Sequence, residues 1–104
     1  MSEFVKAAAK DELAAGEKIL VEVEERLVIL FQVGEEYFCL DDVCTHDGGT
    51  LSDGELDGHE IVCPRHGAKF DVRCGKALCM PATQATGSHE VKVDGDDILV
   101  RIVE

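Results

Sequence analysis

Four residues with metal-binding side chains form two mixed pairs in the middle of the chain. One residue separates Cys44 from His46, two separate Cys63 from His66, and sixteen residues lie between the pairs. Two thiolates and two imidazoles can hold one zinc ion in a tetrahedron, although zinc patterns usually pair Cys with Cys and His with His locally. The spacing therefore leaves two interpretations, a zinc site and a centre with two metal ions.

A binuclear iron centre suits mixed pairs better than a single zinc ion does. If the two pairs lie on facing loops, both thiolates reach one metal and both imidazoles reach the other. In one type of 2Fe-2S cluster, two His replace two Cys on one iron, and the potential rises because neutral ligands leave the cluster less negative. We therefore predict that Cys44, His46, Cys63 and His66 bind one 2Fe-2S cluster per chain, which carries single electrons.

The segments outside these pairs have the composition of β-strands. Apolar or alternating segments are expected to be strands: Phe4 to Ala8, Lys18 to Val23, Leu27 to Val33, Tyr37 to Val43, and the hairpin of 91–93 with 98–102. Turns are expected at Glu24-Glu25, Gly34-Glu35-Glu36 and Asp94-Gly95, and one helical turn at Asp11 to Ala15.

The segment from about 44 to 81 differs from these strands because it is dense in Gly, Asp, His and Cys. It buries little apolar surface of its own, so a bound metal centre is the natural means of ordering it. We therefore predict an all-β fold in which an antiparallel β-sandwich base carries an inserted, loop-rich, cluster-binding subdomain.

Length and charge exclude several classes of function. A chain of 104 residues has the size of one domain, 1–104, and leaves no room for a fused catalytic domain. A net charge of -12 argues against nucleic-acid binding, and acidic clusters such as Asp41-Asp42 are expected to be solvated. Without a signal-like start or an apolar run of about 18 residues, we expect a cytoplasmic protein that does not bind membranes.

The two ligand pairs lie in motifs that resemble a known family. The sequences CTHDGG at 44–49 and CPRHGAKFD at 63–71 resemble the two cluster-binding boxes of Rieske proteins. Gly75-Lys76-Ala77 followed by Met80-Pro81-Ala82 resembles the proline loop that covers the cluster in that family. The resemblance covers nearly the whole chain and implies a single Rieske domain with a Rieske-type β-sandwich.

Positions near the ligands indicate the branch of the family. High-potential Rieske proteins have an additional, disulfide-forming Cys in each box, where this chain has Gly49 and Arg65, and hydroxyl donors where it has Ala68 and Phe70. The chain instead resembles the soluble ferredoxins of bacterial ring-hydroxylating dioxygenases. That resemblance implies electron transfer from a flavin-dependent reductase to a terminal oxygenase, so that the chain is a component of an oxidoreductase system and not an enzyme.

Two alternatives remain from the sequence. The chain also resembles the Rieske-like small subunit of assimilatory nitrite reductase, whose partner would be the large subunit. The second alternative is a zinc-stabilised interaction module. One departure from the family is Thr86-Gly87-Ser88, which stands where a leucine often packs the proline loop.

The remaining Cys and His residues have simpler expected roles. His59 and His89 lack ligand spacing and are expected to be surface or hydrogen-bonded residues. Cys39 is expected to be a small buried hydrophobe. A disulfide between Cys74 and Cys79 is disfavoured in a reducing compartment.

Overall fold

The computed structural model describes residues 3–42, 50–63, 67–78 and 86–103. Within these ranges the chain forms strands and one short 3-10 helix, Lys10–Glu12, which confirms the all-β prediction. The strands are β1 (Val5–Ala9), β2 (Lys18–Val23), β3 (Arg26–Val33), β4 (Glu36–Asp41), β5 (Glu55–Asp57), β6 (Glu60–Val62), β7 (Lys69–Asp71), β8 (Ser88–Asp94) and β9 (Asp97–Arg101).

The strands form a large and a small antiparallel sheet. The large sheet has the order β1-β9-β8-β4-β3-β2, and the small sheet has the order β5-β6-β7. Strand β8 pairs with β4 through Ser88 and His89 and with β9 through residues 90–94. Because β8 belongs to both halves of the large sheet, these halves can fold over one another, and the edge strands β1 and β2 come into contact. This arrangement is the expected β-sandwich base, and β5 to β7 form the inserted subdomain.

The β3–β4 hairpin is buried on both faces and contributes to two apolar cores. We call the first the sandwich core; it contains Ala8, Leu13, Val23, Val28, Leu30, Cys39, Ile98, Val100 and Ile102. We call the second the site core; it contains Ile29, Phe31, Leu40, Leu51, Ile61, Cys63, Ala68, Phe70 and Val72. Alternate residues of a strand point to opposite faces, so successive apolar residues of β3 enter different cores.

Most predicted boundaries agree with the structure to within a few residues. The turn between β2 and β3 places Glu24 and Glu25 at φ of 51° and 68°, the left-handed conformation that two-residue hairpin turns favour. Strand β4 ends at Asp41, two residues earlier than expected, and β8 begins at Ser88, three residues earlier.

The helical turn expected at Asp11 to Ala15 is shorter than predicted and begins one residue earlier. The helix is only Lys10–Glu12, and the Glu12 carboxylate accepts a hydrogen bond from the Ala9 amide at its start. Leu13 follows in an extended conformation, with φ of -140°, because its side chain is buried in the sandwich core. Tertiary burial therefore ends the helix earlier than local propensity suggested.

Cross-strand partners on β2 and β3 test the two-sided burial of the hairpin. Ile29 is fully buried, whereas its partner Leu20 is 45% exposed. We expect Ile29→Ala to lower the free energy of unfolding by about 2–5 kcal/mol, because it leaves a cavity in the site core. Leu20→Ala is the matched control and should cost under about 1 kcal/mol. Urea unfolding measures both, and equal losses would contradict this account of the hairpin.

Candidate metal centre

Cys63 is the one predicted ligand within the described ranges, since Cys44, His46 and His66 lie outside them. It directly follows β6 as a free thiol, only 2% exposed, in the site core. Cys63 also lines a cavity of about 350 Å³ with Gly54 and Gly67. A buried, unbridged thiol beside a cavity fits a thiolate ligand of a metal centre. The described residues contain no group of three or more His, Cys, Asp or Glu placed to hold a metal ion.

We call the residues where the ligand-containing segment of a box begins and ends the base of that box. In the second box, the β6–β7 hairpin closes the base. The Cys63 amide donates to the Ala68 carbonyl at 2.6 Å, and the Gly67 amide donates to the Cys63 carbonyl at 3.1 Å. Gly67 has φ of 73°, a left-handed conformation that glycine adopts without strain. These bonds fix both ends of the segment that contains His66.

The first box is closed at its base by a buried carboxylate. Asp42 is only 6% exposed, so the expectation that both acids of Asp41-Asp42 are solvated is wrong for this residue. Its Oδ1 accepts hydrogen bonds from the Leu51 amide at 2.8 Å and the Ser52 amide at 2.7 Å. Its Oδ2 accepts from the Ser52 hydroxyl at 3.1 Å. Asp42 thus joins the two ends of the segment that contains Cys44 and His46.

The bases of the two boxes lie against each other. Leu51, after the first box, shares the site core with Cys63 at the start of the second. Gly54 packs so closely on β6 that a Cβ there would lie 1.9 Å from the Val62 carbonyl oxygen. The fold therefore brings together the bases of both predicted ligand pairs.

The segment expected to contain the proline loop is also held at its ends. The Thr86 amide donates to the Gly75 carbonyl at 2.9 Å, and a Cβ on Gly75 would lie 2.2 Å from the Thr86 carbonyl oxygen. The Asp41 amide donates to the Gly87 carbonyl at 2.8 Å. Thr86 is buried, so this departure from the family pattern still packs against its surroundings. Met80 and Pro81 lie outside the described residues.

His89 is a buried structural residue, as its lack of ligand spacing suggested. The Val103 amide donates to its Nδ1 at 3.0 Å, so Nε2 carries the proton and donates to Asp41 Oδ1 at 2.7 Å. The Arg26 guanidinium lies 3.6 Å from the same carboxylate oxygen. This network joins β4 to β8 and was not found from the sequence, because Asp41 and His89 are 48 positions apart.

The cysteines outside the ligand motifs differ in accessibility. Cys39 is 1% exposed in the sandwich core, as predicted, and burial followed by the nearby Asp41 charge raises its pKa from 9.0 to about 12. It therefore stays protonated near neutral pH. Cys74 is an exposed free thiol, and the predicted absence of its disulfide with Cys79 stays a prediction because Cys79 lies outside the described ranges.

The fold and the described ends of the two boxes fit a Rieske-type protein, and comparison with protein families agrees. The model of the Rieske [2Fe-2S] domain matches residues 3–100, and the chain belongs to this family. The ferredoxin component of the naphthalene 1,2-dioxygenase system of Pseudomonas aeruginosa is 38% identical over 97 residues, 93% of each chain. The ferredoxin component of the 2,4-dinitrotoluene dioxygenase system of Burkholderia sp. (strain RASC) is 38% identical over 103 residues, 98% of this chain and 99% of the relative.

Solved structures give the same result. The ferredoxin of carbazole 1,9a-dioxygenase from Nocardioides aromaticivorans IC177 superposes with a TM-score of 0.93 at 30% identity, covering 98% of this chain and all of that one. A ferredoxin solved in complex with the oxygenase of carbazole 1,9a-dioxygenase matches with a TM-score of 0.87 at 31% identity, covering 97% of each chain. These comparisons confirm the interpretation as a Rieske ferredoxin, an electron carrier and not itself an enzyme.

A putative nitrite reductase small subunit has a TM-score of 0.81 at 19% identity, covering 94% of this chain and 97% of that one, which shows a shared fold alone. No helix among the described residues is both long enough and apolar enough to cross a membrane.

Proposed function

We propose that this chain, as one domain over 1–104, carries single electrons on one 2Fe-2S cluster held by Cys44, His46, Cys63 and His66. The observation that carries the proposal is the shared site core: Leu51 and Cys63, at the bases of the two segments that contain the predicted ligands, are both buried in it. Two thiolates and two imidazoles are the ligand set of Rieske clusters, and family membership supports the same assignment.

The residues around Cys63 have a defined part in this function. When bound, the cluster accepts and releases one electron at a time. The site core keeps water away from the buried side of Cys63, because Ala68 and Phe70 behind it are fully buried. Neither of these side chains carries a hydroxyl that could donate a hydrogen bond to sulfur, and hydrogen bonds to the sulfurs are one determinant of cluster potential.

We further propose that the electrons come from a flavin-dependent reductase and go to a terminal oxygenase of a ring-hydroxylating system. Support comes from the relatives, which are ferredoxin components of naphthalene and dinitrotoluene dioxygenase systems, and from the solved oxygenase–ferredoxin complex. The nitrite reductase alternative has only the shared fold in its favour. The cytoplasmic location stays a prediction from the sequence.

Metal content tests the cluster. We expect the purified protein to contain two irons and two acid-labile sulfides per chain, with a visible spectrum that reduction bleaches. Cys63→Ala should abolish the cluster because it removes a thiolate ligand, whereas the matched control Cys74→Ala changes an exposed thiol and should retain it. Zinc in place of iron after anaerobic reconstitution would instead support the interaction module.

The reduction potential tests the surroundings of Cys63. We expect a value near the low end of the Rieske range, about -150 mV, because hydroxyl donors are absent at positions 68 and 70. Phe70→Tyr and Ala68→Ser should each raise the potential by adding a donor that stabilises the reduced cluster. Phe38→Tyr is the control, since Phe38 lies at the edge of the site core beside His59. Voltammetry far above zero for the wild type would contradict the assignment.

Electron transfer with candidate partners tests the proposed position of this protein between a reductase and a terminal oxygenase. We expect a flavin-dependent reductase to reduce the protein and a terminal oxygenase to reoxidise it, both visible in the absorption spectrum. The large subunit of an assimilatory nitrite reductase is the control acceptor. Reoxidation by that subunit with nitrite, and none by an oxygenase with its aromatic substrate, would reverse the choice between the two partners.

A further inference from the structure

We propose that Asp42 is a positioning residue for the cluster, which holds the first ligand-bearing segment in register with the second. The proposal rests on the proposed function, because it concerns how the chain presents Cys44 and His46. The acceptor position of the carboxylate, and not its charge, is the property that matters. Asp42 does not touch the cluster in this role; it acts through the amides of Leu51 and Ser52 and through the Ser52 hydroxyl.

The hydrogen bonds that the Asp42 carboxylate accepts all come from two adjacent residues. Both carboxylate oxygens accept from Leu51 and Ser52, nine and ten residues further along the chain. A buried carboxylate is costly unless its oxygens are hydrogen-bonded, so these bonds compensate for its burial. The Asp42 amide donates to the Leu27 carbonyl at 3.2 Å, which attaches the residue to β3. Asp42 therefore links the β3–β4 hairpin to Leu51 and Ser52, which follow the first ligand-bearing segment.

The position of Leu51 connects this contact with the second ligand pair. Leu51 is fully buried in the site core that also contains Cys63. Displacing the Leu51 amide would move the base of the first segment relative to Cys63. Since a binuclear cluster needs both pairs at fixed separations, a displacement of about 1 Å is expected to weaken its binding.

Neighbouring acids do not share this role. The Asp41 carboxylate accepts a hydrogen bond from His89 and so supports β8, which pairs with β4 on the edge opposite to β3. Asp53 is exposed, and its contact with the Thr50 hydroxyl is long at 3.4 Å. Asp57 is exposed in β5 and provides a matched control of the same residue type in the same subdomain.

Two substitutions separate acceptor position from charge. Asp42→Asn keeps an oxygen at Oδ1 for the two amides and places an amide group where it can donate to the Ser52 hydroxyl, but removes the charge. Asp42→Glu keeps the charge and moves the oxygens outward by one methylene. If position matters, Asn should preserve the cluster and Glu should not. If charge matters, the order should reverse.

The experiment measures cluster retention in the reconstituted full chain. Loss of visible absorbance in the presence of an iron chelator gives the release rate, and the electron paramagnetic resonance spectrum of the reduced cluster reports its ligand geometry. We expect Asp42→Glu to release iron about tenfold faster, the size of effect from weakening buried hydrogen bonds to a charged group, with a shifted spectrum. Asp42→Asn, Asp57→Asn and Asp57→Glu should stay within about twofold of wild type.

The unfolding midpoint of the cluster-free chain separates positioning from general stability. A wild-type rate and spectrum for Asp42→Glu would overturn the proposal, as would equal acceleration by Asn and Glu. It would also be overturned if the spectrum were unchanged and iron release followed only the loss of stability.

Should Asp42→Glu fail to fold, Ser52→Ala decides, because it removes one of the three bonds: a faster release supports the proposal and an unchanged rate overturns it. Absence of iron from the wild type would instead overturn the proposed function.

Discussion

The structure depends on the burial of one hairpin, β3–β4, on both faces. Alternating residues of β3 pack toward the sandwich base on one side and toward β5 to β7 on the other, so one strand pair organises two cores. The subdomain predicted to bind the cluster rests on a layer that the sandwich base also packs against, which compensates for the small apolar area that the subdomain itself supplies.

The two residues at the end of this hairpin, Asp41 and Asp42, anchor segments on which the candidate site depends. Asp41 is the last residue of β4 and Asp42 directly follows it, and their side chains have different partners. Asp41 accepts from His89 and supports the start of β8, while Asp42 accepts from Leu51 and Ser52. In a chain of net charge -12, placing two carboxylates beside each other is unfavourable unless each has its own donors. The separate partners meet that condition and anchor two different segments.

The features that sequence reasoning predicted were local ones. The runs of β2 to β4, the Glu24-Glu25 turn and the C-terminal hairpin depend on neighbouring residues, and the structure confirms them. The ligand set was read from residue type and spacing and stays a prediction, since only Cys63 lies within the described ranges. The burial of Asp42 and its bonds to Leu51 and Ser52 were missed because they cross nine to ten residues. For the same reason Leu13, which ends the helix, was not recognised as a core residue.

The absence of hydroxyl donors behind Cys63 links anchoring to electron transfer. Ala68 and Phe70 are apolar members of the site core, so on this side neither side chain can donate a hydrogen bond to a sulfur of the proposed cluster. Hydrogen bonds join the two ends of each segment expected to surround the cluster, namely Asp42 to Leu51, Cys63 to Ala68 and Gly75 to Thr86. Hydrogen bonds to sulfur help set the potential of an iron–sulfur cluster. For the proposed cluster, the contacts that hold the expected ligand segments in place would therefore also be contacts through which the fold adjusts the potential.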